Sequence, residues 1–181
     1  MNPWQRVEPL GDHDLGAFTC ANPAMDEWVQ NKAANASAQA TATVWVCCAD
    51  DGAVIGIFAF DHITIAAGDV GKKRLRGLPT ARAILLARFA LHSDYRGGGN
   101  GVLLMSEVMR TSIEATKYLP AALLVLDAKN DKLADWYQKL GFVAMETDHL
   151  RHYMTMGNVE ASVALADAQV QALMAESEAT P

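Results

Sequence analysis

The apolar positions change period several times along the chain, and each change marks an element. Between residues 14 and 38, Met25, Trp28, Val29 and Lys32 fall at i, i+3, i+4 and i+7, with Asp26 and Glu27 in the first turn. That spacing predicts a capped helix. Residues 44–49 and 54–60 are short apolar runs around Asp50-Asp51-Gly52, which predicts a hairpin. Residues 66–80, rich in Gly, Lys and Arg, read as a loop. The near-continuous apolar run over 83–91 predicts a buried central strand. Helical spacing returns over 102–117, carried by Leu103, Leu104, Val108 and Ile113. A further buried strand is predicted over 122–127, a helix over 131–140 stopped by Gly141, and closing strands over 142–145 and 152–156. A hairpin followed by two strand–helix units predicts one mixed α/β domain over residues 1–157.

From Asn158 the pattern changes again. Val159, Val163, Ala166, Val170 and Leu173 recur at helical spacing, which predicts an acidic amphipathic helix over 158–181. Such a stripe needs a partner surface, either the body of the same chain or a second copy, and a homodimer contact is the preferred reading. Alternatively, its acids lie over the basic loop as a mimic of phosphate.

Composition narrows the class. The chain has 181 residues, 51% hydrophobic and 20% charged, enough to close a core and unlike a disordered chain. No apolar run approaches the roughly 18 residues that span a bilayer, and Met1-Asn2-Pro3-Trp4-Gln5-Arg6 lacks the layout of a signal peptide. Cys20, Cys47 and Cys48 are odd in number, and the adjacent pair points to opposite faces of a strand. With no CxxC or HxxxH spacing, no metal is expected. These features imply a soluble, reduced, cytoplasmic protein with no membrane partner.

Net charge is −6, which by itself argues against a nucleic-acid partner, but its distribution does not. Residues 158–181 carry Glu160, Asp167, Glu176 and Glu178 and no Lys or Arg, so four of the six net negative charges sit there. Lys72, Lys73, Arg74, Arg76, Arg82, Arg88 and Arg96 stand against a single acid, Asp94. A basic segment in a near-neutral body can bind a polyanion.

The turn Arg96-Gly97-Gly98-Gly99-Asn100-Gly101, between a buried strand and a helix, is the most informative feature. Missing Cβ atoms let backbone N–H groups approach an anion, and the following helix adds its positive end. That combination suits a diphosphate. No Lys-Ser/Thr follows Gly101, which excludes a Walker A loop, and the glycine spacing is not that of a dinucleotide fold.

Two motifs in order then carry a family resemblance. Arg96-Gly97-Gly98-Gly99-Asn100-Gly101 resembles the acyl-CoA loop of the GCN5-related N-acetyltransferases (GNAT), Gln/Arg-x-x-Gly-x-Gly/Ala. Asn130, Tyr137 and Lys139-Leu140-Gly141-Phe142 resemble their later helix, which reads Asn, six residues, Tyr, then Lys-x-Gly-Phe. The resemblance covers roughly residues 14–156 and implies the GNAT acyltransferase fold with acetyl-CoA as cosubstrate. Phe18-x-Cys20 with Met25-Asp26-Glu27-Trp28-Val29 is similar to the opening of the toxin subfamily, Phe-x-Cys then Leu-Asp-x-Trp-Leu. Leu85-Leu86-Ala87-Arg88-Phe89-Ala90-Leu91 is similar to its Leu-Leu-Gly-Arg-Leu-Ala-Val strand. Members of that subfamily pair with ribbon-helix-helix antitoxins and acetylate the α-amine of aminoacyl-tRNA. Departures from the pattern are Gly98-Gly99 in place of the usual Arg-Gly, Leu119-Pro120 before the next strand, and the acidic helix.

The resemblance implies roles. Phe89, Ala90 and Leu91 would pair with the pantetheine arm, and a backbone N–H near Leu91 would polarise the thioester carbonyl. Arg96, Gly97, Gly98, Gly99, Asn100, Gly101 and Val102 would hold the diphosphate, with Asn130 also at the cofactor. Tyr137 would be the general acid for the departing thiolate. Lys72, Lys73, Arg74 and Arg76 would meet nucleic acid. No carboxylate is placed as a base, and neither His62 nor His92 is assigned. The competing functions are acetylation of a small amine, peptide or protein amine, and a non-catalytic acyl-CoA-binding or scaffold protein.

Overall fold

The computed structural model describes residues 2–71 and 73–178, with side chains as far as residue 172. Its strands are β1 (Arg6–Pro9), β2 (Thr43–Cys48), β3 (Val54–Ala66), β4 (Thr80–Leu91), β5 (Leu123–Asp127), β6 (Val143–Ala144) and β7 (Arg151–Thr155). They form one sheet in the order β1-β2-β3-β4-β5-β7-β6. β4 and β5 run parallel and every other pair is antiparallel. The helices are α1 (Pro23–Asn31), α2 (Ala33–Ala38), α3 (Ala67–Val70), α4 (Asn100–Thr116), α5 (Asp131–Lys139) and α6 (Met156–Glu178). Among the described residues, no helix is long and apolar enough to cross a membrane.

Alternation along the strands divides the core between the two faces. Cys47, Phe58, Phe60, Ile84, Leu86, Leu124 and Leu126 pack with α4, α5 and the start of α6. Val44, Val46, Ile57, Ala59 and Ala90 pack with Val29 of α1 and Ala33 of α2. Lower on that second face, Ala83, Leu123, Val125 and Tyr153 are covered by Val70 of α3 and Leu75.

Several sequence expectations shift. Residues 14–22 are not helical, because Pro23 fits only the first turn and Asn22 takes the cap position. Asp26 does more than complement the helix dipole: it accepts hydrogen bonds from the Cys20 amide (2.7 Å) and the Thr19 hydroxyl (3.0 Å), tying the preceding loop to α1. Those bonds, the Cys20 amide first, hold its carboxyl below the usual range. β1 carries no clear apolar period and was not expected. The loop expected over 66–80 includes α3, and β3 extends to Ala66.

The C-terminal helix begins at Met156, two residues early, and packs on α4 of its own chain. Val159 is fully buried and Val163 partly so, while Leu165 and Val170 are exposed. Its Asp167 pairs with Arg110 of α4, at 3.1 Å for one of the two bonds. The expected stripe therefore has a same-chain partner over its first turns only, and the Leu173 side chain lies outside the described residues.

Candidate active site

β4 is the organising element. Residues 83–86 pair with β3 on one edge and β5 on the other. Beyond Leu86 the pairing with β5 ends, and residues 87–91 keep only β3. The change coincides with a bulge: Ala59 faces Arg88 and Phe60 faces Leu86, leaving Ala87 as an extra residue. A bulge bends its strand and sharpens the twist, which carries the upper half of β4 away from β5. It also resets the alternation, so Phe89 and Leu91 join Ile84 and Leu86 on the α4–α5 face.

This leaves a row of backbone groups without partners. The His92 amide donates to the Ile55 carbonyl (2.8 Å). Strand alternation then turns the amides of His92 and Ala90 toward β3 and those of Phe89 and Leu91 toward the open edge. Beside that edge lies a cleft of about 480 Å³ lined by Phe89, Ala90, Leu91, Arg96, Trp136 and Tyr137, with Cys20, Asn22 and Met25 from the loop before α1.

Tyr137 is buried, with ring centroids of Trp136, Phe142 and His152 at 5.0, 6.0 and 6.5 Å. Burial pushes its phenol up to about 12, so it keeps its proton at any physiological pH. Its hydroxyl has no hydrogen-bond partner among the described residues, yet no buried side-chain polar atom is left sealed without one. The hydroxyl therefore opens into the cleft. Behind it, His152 is fully buried with both nitrogens engaged, by the Leu150 carbonyl (3.0 Å) and Gln138 (3.3 Å).

At the top of the cleft, Gly97, Gly98 and Gly99 adopt φ of +87°, +57° and +82°. An L side chain in this left-handed region costs roughly 1–2 kcal/mol, which explains the glycines better than space does: a Cβ at any of the three would meet nothing within 4 Å. Gly99 caps α4 without a side-chain bond. The amides of Gly97, Gly98, Gly99 and Gly101 find no acceptor among the described residues. Asn100 donates to the Tyr95 carbonyl (2.9 Å), and Val102 is exposed in the first turn of α4. Arg96 is anchored by its guanidinium on the Cys20 carbonyl. These residues fit an elongated ligand with a diphosphate at one end and a strand-like amide arm at the other.

Asn130 caps α5, its side chain accepting from the Leu133 amide (3.0 Å), and stands beside the cleft rather than in its wall. Lys73, Arg74 and Arg76 lie near the opposite end of β4, and Lys72 lies outside the described residues. Arg74 and Arg76 lie beside Ala81 and Leu75 packs on Ala83, six to eight residues before Phe89, so at ~3.3 Å per residue roughly 20–26 Å of strand separates that loop from the cleft.

Sequence reading missed Lys132 at the cleft wall and Lys32 and Lys129 in an adjoining groove, and counted Arg88 of that groove only within the basic segment and the strand motif. Only the sheet topology brings them together.

The cysteines are free and buried. Cys20, in the cleft wall, is pushed up to about 11, by burial first and Asp26 second, so it stays a protonated thiol. Cys48 comes close to Glu8 and His13. His13 Nδ1 accepts from the Gly11 amide (3.1 Å), so Nε2 bears the hydrogen and donates to Glu8 (3.1 Å). In that tautomer the ring's one lone pair, on Nδ1, is taken up by the Gly11 amide.

The comparisons with known proteins agree with this geometry. The chain is 24% identical over 151 residues to the tRNA-acetylating toxin of Mycobacterium tuberculosis, covering 83% of this chain and 90% of the relative. It is 25% identical over 166 residues to the probable toxin TacT of Sinorhizobium fredii, covering 84% and 92%. Its fold matches a Tyr→Phe variant of KacT and AtaT complexed with acetyl-methionyl-tRNAfMet, each with a TM-score of 0.78, 19% identity and coverage of 86% of this chain and 97% of that one. The family model described as the acetyltransferase (GNAT) domain matches residues 40–144, more than half the chain, and the chain belongs to that family of acetyl-CoA-dependent acetyltransferases.

Proposed function

We propose that the protein transfers acetyl from acetyl-CoA to the α-amine of aminoacyl-tRNA by direct attack in a ternary complex. The observation that carries the chemistry is the unpaired edge of residues 87–91 beside the open hydroxyl of Tyr137. Acetyl-CoA supplies the activated acyl group. The amides of Phe89 and Leu91 pair with the pantetheine arm, and a backbone N–H near Leu91 donates to the thioester oxygen as charge develops there. The Gly97, Gly98, Gly99 and Gly101 amides hold the diphosphate, with Arg96, Asn100 and Val102 shaping that loop and Asn130 fixing α5 beside it. As the amine forms its C–N bond and the C–S bond breaks, Tyr137 gives its proton to the departing sulfur. Water takes the proton that the amine loses, since an α-amine titrates near 8 and is partly free at neutral pH. The protonated Cys20 offers no thiolate for a covalent acyl-enzyme, which favours direct transfer.

The acceptor is supported by the relatives: one is named for tRNA acetylation, and one structural neighbour holds an acetylated aminoacyl-tRNA. Lys72, Lys73, Arg74 and Arg76 form a secondary contact for the tRNA body, which must span roughly 20–26 Å to reach both that loop and the cleft. Another neighbour is a Tyr→Phe variant of AtaT bound to the C-terminus of the antitoxin AtaR, which supports an antitoxin partner for this protein. The ribbon-helix-helix class of that partner and a cytoplasmic location rest on the subfamily resemblance, and a homodimer rests on the exposed remainder of the α6 stripe. The test is acetyl-CoA turnover with charged tRNA against a panel of polyamines and peptides. Preferential acetylation of charged tRNA is expected, and transfer to the small amines alone would overturn the assignment.

A further inference from the structure

Trp28 and Arg88 belong to separate sequence motifs, and they meet in space. The Arg88 guanidinium carbon lies 5.1 Å from the centre of the Trp28 ring, and Arg88 Nη1 donates to the Ala87 carbonyl (2.7 Å). Both side chains line a groove of about 450 Å³ with Lys32, Ala87, Lys129 and Glu27. Glu27 holds Lys32 at 2.9 Å and offsets its charge. Arg88 and Lys129 have no carboxylate partner among the described residues, so the groove keeps two uncompensated cations.

The groove's position gives those cations a purpose. It shares Asn22 and Met25 with the cofactor cleft, which otherwise opens toward α5, whereas the groove lies against α1. The two spaces adjoin at the unpaired half of β4. Arg88 faces the groove because of the bulge: the extra residue brings Ala87 and Arg88 onto one face and sends Phe89 to the other. A donor in the cleft and an acceptor in the groove would meet at the open edge.

We propose that this groove receives the 3′-terminal phosphodiester of the charged tRNA, with Arg88 as the specificity-determining cation. The proposal rests on the reading of the acceptor given above. A guanidinium held within cation–π range of an indole and bonded to the Ala87 carbonyl has already lost part of its rotamer freedom, and it presents a planar fork matched to two phosphate oxygens. Lysine at this position would keep the charge and lose the fork. The contact selects acceptors that carry phosphate close to the amine and does nothing for a free small amine. In this arrangement the loop around Arg74 grips the tRNA body, while Arg88 and Lys129 place its end.

The experiment compares wild type, Arg88→Ala, Arg88→Lys and Lys129→Ala at saturating acetyl-CoA. Two acceptors are varied over a range of salt: charged tRNA, and an amino-acid methyl ester, which has the same α-amine and no phosphate. Arg88→Ala should raise KM for charged tRNA at least tenfold and make its salt dependence shallower by roughly 1 in log–log slope. Arg88→Lys should restore the slope and only part of KM. Lys129→Ala, which leaves the Trp28 stack intact, should lower the slope by about 1 on its own. Acetyl-CoA affinity by calorimetry and kcat/KM for the methyl ester should match wild type in all three variants. Equal losses on ester and tRNA would overturn the proposal, because Arg88 would then only be bracing the strand. So would an unchanged KM for tRNA. If wild type acetylates the ester and ignores charged tRNA, the acceptor reading itself fails, and the groove proposal fails with it.

Discussion

The two halves of β4 share one apolar stretch of sequence and do different work. Residues 83–86 are hydrogen-bonded on both edges, and Ala83, Ile84 and Leu86 are buried among β3, β5 and the helices. Residues 87–91 keep a single neighbour, and apart from Ala90 their side chains are only partly covered. The lower half stabilises the sheet by burial, each fully buried large apolar side chain contributing about 1.5–3 kcal/mol. The upper half gives up a row of ladder bonds and places its amides where a ligand can complete them. One extra residue, Ala87, separates the two. The free edge is a binding surface because a strand-like arm can satisfy the groups that β5 no longer reaches.

The largest expected effect comes from the phenol beside that open edge. Tyr137→Phe removes one oxygen that no protein group bonds, so the melting temperature and acetyl-CoA affinity should stay close to wild type. Turnover should fall at least tenfold, and by as much as about 10²–10⁴ if general acid catalysis contributes its usual share. The wild-type rate should also show no alkaline loss from this group below about pH 10, since its proton is held up to about 12. Retained turnover in the variant, measured as acetyl-tRNA formed per enzyme, would make Tyr137 merely part of the core.

Legibility in the sequence followed the same division. The glycine turn and the helix after it were readable because their chemistry is local: consecutive positive φ values demand glycine, and a helix start supplies the amides. The Tyr137 motif was legible only through the family resemblance. The open upper half of β4 was implied only by that resemblance, which set residues 89–91 against the pantetheine arm; the apolar run itself carries no mark of where alternation resets. The Arg88–Lys129 pair joins residues from β4 and the loop after β5, a proximity that only topology creates. Asp is a common helix cap, yet the Asp14 carboxylate accepts from the Gly16 amide (2.9 Å) in a local turn instead. Pro23 is the better signal of where α1 begins. β1 escaped notice because two of its four residues are charged and the last is proline.

A smaller effect is expected at the far end of β4. Neutralising Lys72, Lys73, Arg74 and Arg76 together should weaken charged-tRNA binding strongly, on the order of tenfold or more near physiological salt. The log–log salt slope should become shallower by up to about 3–4, close to 1 for each phosphate that these cations neutralise in wild type. Acetyl-CoA affinity should not move, because the loop stands roughly 20 Å or more from the cleft. Electrophoretic mobility or filter binding over a salt series checks this, and an unchanged slope would leave the acceptor held by the upper half alone.

The smallest effect tests what keeps the upper half in register with α1. Asp26 binds the Cys20 amide and the Thr19 hydroxyl, and the Cys20 carbonyl in turn receives Arg96 from the glycine turn. Asp26→Asn keeps the shape and one acceptor oxygen while removing the charge that strengthens those bonds, so it should cost about 1 kcal/mol. Because the carboxyl is held below its usual range in the folded protein, its contribution is present above the unfolded pKa of roughly 3.9 and fades as pH falls through the folded value. The stability gap between wild type and variant, from urea unfolding, should therefore be full at neutral pH and close in strongly acidic buffer. A gap that persists unchanged in strong acid would mean that the carboxylate charge is not what ties the Cys20 loop down. The anchoring of Arg96, and with it the mouth of the cleft, would then depend on the packing of Phe18 and Cys20 against the α1 side of the sheet.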